Sequence, residues 1–496
     1  MLKQLFKTKT LDALVHEGDE PEHQLKRVLG AFDVVMLGIG AIIGAGIFAT
    51  IGTAAAGDAM RPGAGPALML SFVLTGIACG FAALCYAEFS AMVPISGSAY
   101  TYSYGTLGEL VAWIIGWDLI IEYAVGNVAV AISWANYFKT FVAGFGIIIP
   151  DWMSIDYRTA TKIPGLLEHA PHAFGVPIVF NLPAFSIVAL ITVVLVLGIR
   201  ESSRLTTIMV IIKLAVLGLF IWVGFHYVKP ANWTPFAPNG WSGIQAGAAV
   251  VFFAYIGFDA VSTVAEEVKN PKRDLPIGII GSLIVSTIIY ILVAGVFTGI
   301  IPYKALVKTL STSQAEPLTL AIQYANIKNW GNFLVGIIAF GSVIAHTAVL
   351  LVFQLGQPRI FFSMARDGLL PQSFAKVHPK YRTPYVTTIL TGLIVGITAM
   401  FTTIDEMVDL TNIGTLFAFM LVCAGIIILR KKEPDRPRSF RTPWVPLIPL
   451  LGIAACLYLV LGLPWITWIR FAGWLIIGMI VYFSYGYKRS LLRKNL

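Results

Sequence analysis

Charge is scarce in this sequence: 12% of its 496 residues are Asp, Glu, Lys or Arg, against 57% hydrophobic. A soluble domain carries charge on roughly 25% of its residues, so a water-facing surface is excluded for most of the chain. Cysteine is nearly absent too. The four present, Cys79, Cys85, Cys423 and Cys456, fall inside apolar stretches without ligand or disulfide spacing and read as small core residues. Residues 1–29 are polar and contain no short apolar stretch ahead of a small-residue cleavage site, so no cleaved signal peptide is expected. HExxH, GxSxG, clustered His or Cys ligands and a Gly-rich phosphate loop are also missing. An intramembrane enzyme is left without a recognisable nucleophile and base. No repeated ring of polar or charged residues argues for a channel.

Long apolar runs are abundant. A bilayer crossing needs about 20 predominantly apolar residues. Twelve segments qualify, at about 33–57, 66–92, 107–141, 182–199, 205–228, 244–267, 276–301, 332–357, 384–403, 408–430, 443–463 and 467–487. The net charge of +9 comes from basic residues at the ends of these runs, with no aromatic-interleaved patch. That pattern is a topology signal and not a nucleic-acid surface. With the N-terminus inside, 25 of 35 Lys and Arg fall on the cytoplasmic side, among them Lys3, Lys26, Arg200, Lys272, Arg273, Arg382, Arg430 and Arg493. Nine fall outside, and Lys213 lies within a span. An all-α, multi-pass protein of the cell membrane is predicted, with twelve transmembrane helices and both termini cytoplasmic.

The chain divides into a cytoplasmic segment (1–32), a core of ten spans (33–430), a basic linker KKEPDRPRSFRTP (431–443), two final spans (444–487) and a tail (488–496). Two external connections are long, about 142–181 and 302–331, and the first has room for a short surface helix.

Dense glycine inside an apolar helix calls for a reason, because unsatisfied backbone in lipid costs several kcal/mol. The first span carries Gly38, Gly40, Gly44 and Gly46, and the sixth reads Phe253-Ala254-Tyr255-Ile256-Gly257-Phe258-Asp259. Gly40 and Gly44 alone fit close helix packing. Paired interruptions five spans apart point instead to an inverted-repeat transporter, with repeats at about 33–228 and 244–430. A break near Gly44 gives the outer half of span one a mid-membrane N-terminus, whose N–H groups and dipole suit a carboxylate. The outer half of span six ends at its own break. Carbonyls there, near Phe253 and Ala254, join those of Ala41 and Ile42 as acceptors for an ammonium. One site then offers donors for a carboxylate and acceptors for an amine.

Five stretches carry a further signal: LGIGAIIGAGIF (37–48), YAEFSAMVPISGSAYTYSYGTLGEL (86–110), GWDLIIEYAVG (116–126), FFAYIGFDAVSTVAEEVKNPKRDLPIGI (252–279) and RIFFSMARDGLLP (359–371). Together with the span order they make the chain resemble the amino acid–polyamine–organocation superfamily. It is most similar there to bacterial permeases related to the cationic amino acid transporters. The resemblance implies a LeuT-type fold of five plus five inverted spans, two additional C-terminal helices, discontinuous helices 1 and 6, and proton-coupled uptake. It also implies a substrate carboxylate against Ile43, Gly44, Ala45 and Gly46, and an amine against Ala41, Phe253, Ala254 and Ile256. Ser342 and Val343 would line the side-chain pocket from span eight.

Ionisable residues at depth are functional hypotheses. Lys213 lies about 12 Å along span five. It reads either as a lysine snorkelling to the interface or, by the resemblance, as an ammonium standing where sodium-driven relatives bind sodium. Glu122, four residues after Asp118 on the same face, reads as a satisfied interhelical partner or as part of a proton relay. Asp259 reads as a cap on the inner half-helix, as a relay member, or as both. Glu88 reads as a gate or a structural pair, and His346 as a hydrogen-bonded core residue before a coupling group. No spare acid in span eight awaits a cationic side chain, so neutral, small or branched L-amino acids are favoured over arginine and lysine. Cationic uptake, amino acid exchange and a non-transporting sensor stay open. The proton is the expected coupling ion, without metal or cofactor. Partners are the bilayer and the substrate, and a small accessory membrane subunit stays open.

Overall fold

A computed structural model describes residues 5–10, 27–93, 98–198, 203–310, 316–328, 330–381 and 383–494. Lys3, Lys26, Arg200 and Arg382 of the basic set lie outside the described residues. In hydrocarbon a chain must satisfy its own backbone, and apolar runs of this length do so as helices. In chain order these are α1 (Ala31–Ile42), α2 (Ile51–Ala56), α3 (Leu68–Met92), α4 (Ser98–Thr106), α5 (Glu109–Ala143), α6 (Leu182–Val196) and α7 (Ser203–Phe225). They continue with α8 (Gly240–Val251), α9 (Pro271–Ile300), α10 (Gly331–Arg366), α11 (Tyr385–Phe401), α12 (Ile404–Lys432), α13 (Leu447–Val460) and α14 (Trp465–Val481). Among the described residues nine stretches are long and apolar enough to cross a membrane, and three apolar helices, α6, α11 and α13, are shorter. All twelve fall on the intervals expected from composition.

The helices sort into packed groups. α10 lies along α5, α6 pairs with α11, and both of these touch α5 and α10. α9 lies along α3 and α1, and α8 packs on α3. The α1–α9 seam is closed by missing side chains. A Cβ on Gly278 would stand 2.2 Å from Val34 Cγ1, and one on Gly38 would stand 2.5 Å from Ser282 Oγ. Small residues let backbones approach where apolar burial drives little helix association. α12 bridges the groups by packing on α5 and α3, and α13 and α14 lie against its flank.

Both ends of the chain meet on one face. Lys9 Nζ pairs with Asp367 at 3.3 Å, the Leu491 N–H donates to the Asp367 carbonyl at 3.1 Å, and Arg493 Nη2 reaches Glu109 at 2.7 Å. The linker is pinned there as well. Glu88, fully buried on α3, accepts from Arg430 Nε at 3.0 Å, from Arg430 Nη2 at 2.7 Å and from the Thr442 N–H at 2.7 Å. Arg438 Nε stands 3.1 Å from the same carboxylate. Glu88 is therefore a structural ion pair in this conformation.

On the opposite face the 142–181 connection carries two single-turn helices, Tyr157–Ala160 and Leu166–His169, and a hairpin pairing His172–Ala173 with Val176–Pro177. They close over a small apolar cluster of Ile155, Ala160, Ala170 and Val179. The second connection folds as Tyr303–Leu310 and Pro317–Tyr324. The four cysteines are buried free thiols.

Candidate substrate site at two crossed breaks

α1 stops at Ile42. Ile43 turns to an extended backbone (φ −80, ψ 101), and the chain resumes as a wide π-type turn over Gly46–Thr50 that runs into α2. The second break follows α8. A 3₁₀ turn, Phe252–Tyr255, gives way to extended Ile256, then to Gly257 at φ +119, and a 3₁₀ segment continues over Asp259–Glu267. That φ favours glycine, since a side chain would be strained there. The inner half of the sixth span was expected as an α-helix and is wound more tightly.

The breaks touch each other through glycine. A Cβ on Gly46 would lie 2.1 Å from the Ala254 Cα, and one on Gly257 would lie 2.8 Å from the Ala41 carbonyl oxygen. Any larger residue at either point would drive the segments apart. A third contact comes from α10, where Val349 Cγ2 would stand 2.6 Å from a Cβ on Gly44.

Broken helices release backbone groups, and in a dry interior each needs a partner. Side chains from other helices supply several. Lys213 Nζ, on α7 and fully buried, donates to the Gly40 carbonyl at 2.6 Å and the Ile43 carbonyl at 2.8 Å. A cation at a helix C-terminus also complements its dipole. The lysine therefore does not snorkel; it points at the break. The Tyr290 hydroxyl of α9 sits 3.0 Å from the Ile42 carbonyl and 2.8 Å from the Ala254 carbonyl, and can donate to either. Tyr137 of α5 donates to the Phe48 carbonyl at 2.6 Å, and Asn412 of α12 to those of Ala249 and Val250 at 2.8 and 3.3 Å. Tyr290, Tyr137, Asn412 and Val349 had no motif to mark them in the sequence. An aromatic or amide on an apolar helix looks the same whether it faces lipid, core or a break.

The expected site residues divide by what their groups already do. Ala41, Ile43, Gly44, Ala45, Gly46, Phe253, Ala254 and Ile256 are all buried at the crossing. The Ile43 N–H donates back to Ile39 at 3.0 Å, so Ile43 contributes its carbonyl to Lys213. Gly44, Ala45 and Gly46 open the outer segment, whose first N–H groups have no intrahelical acceptor by helix geometry. Ser342 and Val343 lie on α10, with Ser342 fully buried and Val343 partly so. The Ser342 carbonyl accepts from His346 Nδ1 at 2.6 Å, and Ser133 Oγ lies 2.6 Å from Nε2. A carbonyl only accepts, so Nδ1 carries the hydrogen and Nε2 receives the Ser133 hydroxyl. His346 is thus a hydrogen-bonded core residue packed on Phe48 and Tyr137, with ring centroids 5.8 and 5.7 Å away.

Asp259 lies at the second break, and two more buried carboxyls, Glu122 and Asp118, lie on α5. Asp259 Oδ1 accepts from the Gly257 N–H at 3.3 Å, so it caps the break itself. Asp259 Oδ2, Glu122 Oε2 and both Asp118 carboxyl oxygens have no hydrogen-bond partner among the described residues. Asp259 and Asp118 lie within electrostatic reach of Glu122. Among the described residues no group of three His, Cys, Asp or Glu side chains is arranged to hold a metal ion.

Crossed helix breaks buried in a multi-pass helical protein are the architecture of a membrane transporter. A family model described as amino acid permease matches residues 29–485, and the chain belongs to that family. It is 49% identical over 490 residues, 99% of each chain, to the branched-chain amino acid permease BcaP of Bacillus subtilis (strain 168). It is 45% identical over 493 residues to the methylthioribose transporter of the same organism, covering 99% of this chain and 100% of that one. More distant is the vacuolar cationic amino acid transporter 4 of Arabidopsis thaliana, 36% identical over 440 residues, 88% of this chain and 68% of that one. These relatives are permeases and transporters, not enzymes. The chain is an amino acid transport protein of the membrane.

Proposed function

We propose that this protein takes up neutral, small or branched L-amino acids with protons, by alternating access. The backbone contact of Gly46 on Ala254 and Gly257 on Ala41 carries the reading. It holds N–H groups of one broken helix beside carbonyls of the other, the two-ended receptor a zwitterion needs. The substrate carboxylate docks on Gly44, Ala45 and Gly46 and the ammonium on the carbonyls of Ala41 and Phe253. Tyr290 already engages the Ala254 carbonyl. Ile256 lies against the ammonium as well, Ser342 and Val343 bound the side chain, and identity to a branched-chain permease supports an apolar one.

In this reading the chain crosses the cell membrane twelve times as a LeuT-type five-plus-five inverted repeat with two added helices, its termini face cytoplasmic. Residues 33–430 form the core and 431–443 the linker to the last two spans. Lys213 alternates between charged and neutral as the proton is carried, with Glu122 and Asp259 as relay groups. No cofactor beyond the proton is required.

The test is uptake of labelled leucine, isoleucine and valine into proteoliposomes, with a competition panel of the twenty amino acids at two proton gradients. Accumulation without internal substrate, driven by an inward proton gradient, is expected. Uptake only against preloaded amino acid would make the protein an exchanger. The methylthioribose relative favours a second reading, transport of a neutral thiosugar, and competition by methylthioribose with none by leucine would select it.

A further inference from the structure

On the termini face a groove of about 610 Å³ opens between the start of α9 and the linker, lined by Lys272, Arg273, Ile277, Ile280, Ser439 and Phe440. We propose that this groove is a binding site for an anionic phospholipid of the adjoining leaflet. Its chemistry is divided as a lipid is divided. At one end Lys272 and Arg273 are exposed, and their side chains form no hydrogen bond or ion pair among the described residues. At the other, Ile277 is 41% exposed, with Ile280 and Phe440 beside it. Gly281 leaves the wall hollow, since a Cβ there would meet only Val35, at 3.3 Å.

The linker side of the groove is held in place. Arg438 and Thr442, on either side of Ser439 and Phe440, are both fixed to Glu88. Two nearby acids are engaged elsewhere or turned inward, and Asp435 is exposed on the linker. Glu433 pairs with Arg436 at 2.9 Å, and Asp274 is buried in the first turn of α9. Two cations at the water boundary above an apolar slot complement a phosphate with a net negative charge and two acyl chains, and basic pockets between helices at this level bind such head groups. A zwitterionic lipid brings its own cation and gains less. A soluble phosphate gains nothing from Ile277, Ile280 or Phe440.

The experiment uses the purified full chain, delipidated in a neutral detergent and followed by its unfolding temperature. Dioleoyl phosphatidylglycerol should raise that temperature by about 3–5 °C at saturation, and the rise should shrink as salt is added. Dioleoyl phosphatidylcholine and inorganic phosphate should each give less than a third of it. In K272Q/R273Q the rise should be lost, while K488Q/R489Q, neutralised elsewhere on the same face, should keep it. F440A should weaken the lipid effect. An equal rise with phosphatidylcholine, or a full rise in K272Q/R273Q, would overturn the site, and reproduction by inorganic phosphate would overturn the lipid. A double variant that failed to purify would be replaced by the single variants K272Q and R273Q, each expected to lower apparent lipid affinity at least ~3-fold.

Discussion

Gly46 stands against Ala254 so closely that a methyl group at its Cβ position would lie 2.1 Å from the Ala254 Cα. The obstacle is backbone, which no rotamer change removes. Forcing extra atoms into a packed interior costs about 1–3 kcal/mol, and here the strain falls on the crossing itself. G46A should abolish uptake and lower the unfolding temperature by several degrees. G257A, which adds a side chain at φ +119, should do the same. Native uptake by either variant would show that the crossing does not form the transport site.

Lys213 is fully buried among the helices, and it satisfies two carbonyls that the α1 break releases. Hydrogen bonds from a charged donor contribute about 1.5–3 kcal/mol each. K213A should cut gradient-driven accumulation by ~10–100-fold while leaving measurable binding of labelled substrate. On the proposed coupling, in which the Lys213 ammonium takes the place of a sodium ion, uptake by the native protein should be the same in sodium and in choline buffer. Full accumulation in K213A, or a sodium requirement, would remove the lysine from the mechanism.

The extent to which this site could be read in advance follows from what kind of signal each part leaves. Span positions are legible because hydrocarbon imposes a length and composition on every crossing. Both breaks were legible because interrupted, glycine-containing stretches fall at matching places in two spans five apart, and Gly44 and Gly257 mark where the helical backbone is lost. The partners of the breaks were not. Tyr290 reaches Ile42 across 248 residues of chain and Asn412 reaches Ala249 across 163, and contacts of that range impose no local pattern. Ile43 was expected to offer its N–H to a carboxylate. Its N–H closes the last helical turn onto Ile39, and the extended ψ of Ile43 turns its carbonyl to Lys213, a dihedral angle that composition does not encode.

Glu88 gives a test of the linker. Its carboxylate is fully buried beneath Arg430 and Arg438. Removing one partner of a buried ion pair costs about 3–5 kcal/mol, because the other charge is left without compensation. E88Q should lower the unfolding temperature by several degrees and release the 431–443 linker. Limited trypsinolysis reads that release as faster cleavage after Lys432 and Arg438. An unchanged cleavage pattern would mean that the other linker contacts hold it without Glu88.

Glu316 opens the short helix Pro317–Tyr324 outside the spans, where the Thr140 hydroxyl donates to its carboxylate at 3.0 Å. Burial pushes its carboxyl up to about 7, partly opposed by the hydrogen bond from Thr140 and the charge of Lys139. An acid whose folded value is raised is neutral in the folded protein and ionised in the unfolded chain between the two values. Folding therefore loses stability as the pH rises from the ordinary glutamate range to about 7, and the loss is complete above that. E316Q removes the penalty while keeping an acceptor for Thr140. The variant should unfold at a higher temperature than the native protein at pH 8, and the gap should close as the pH falls to about 4.5. Thermal unfolding of both proteins across that range checks it, and a constant gap at every pH would show that Glu316 does not titrate on folding.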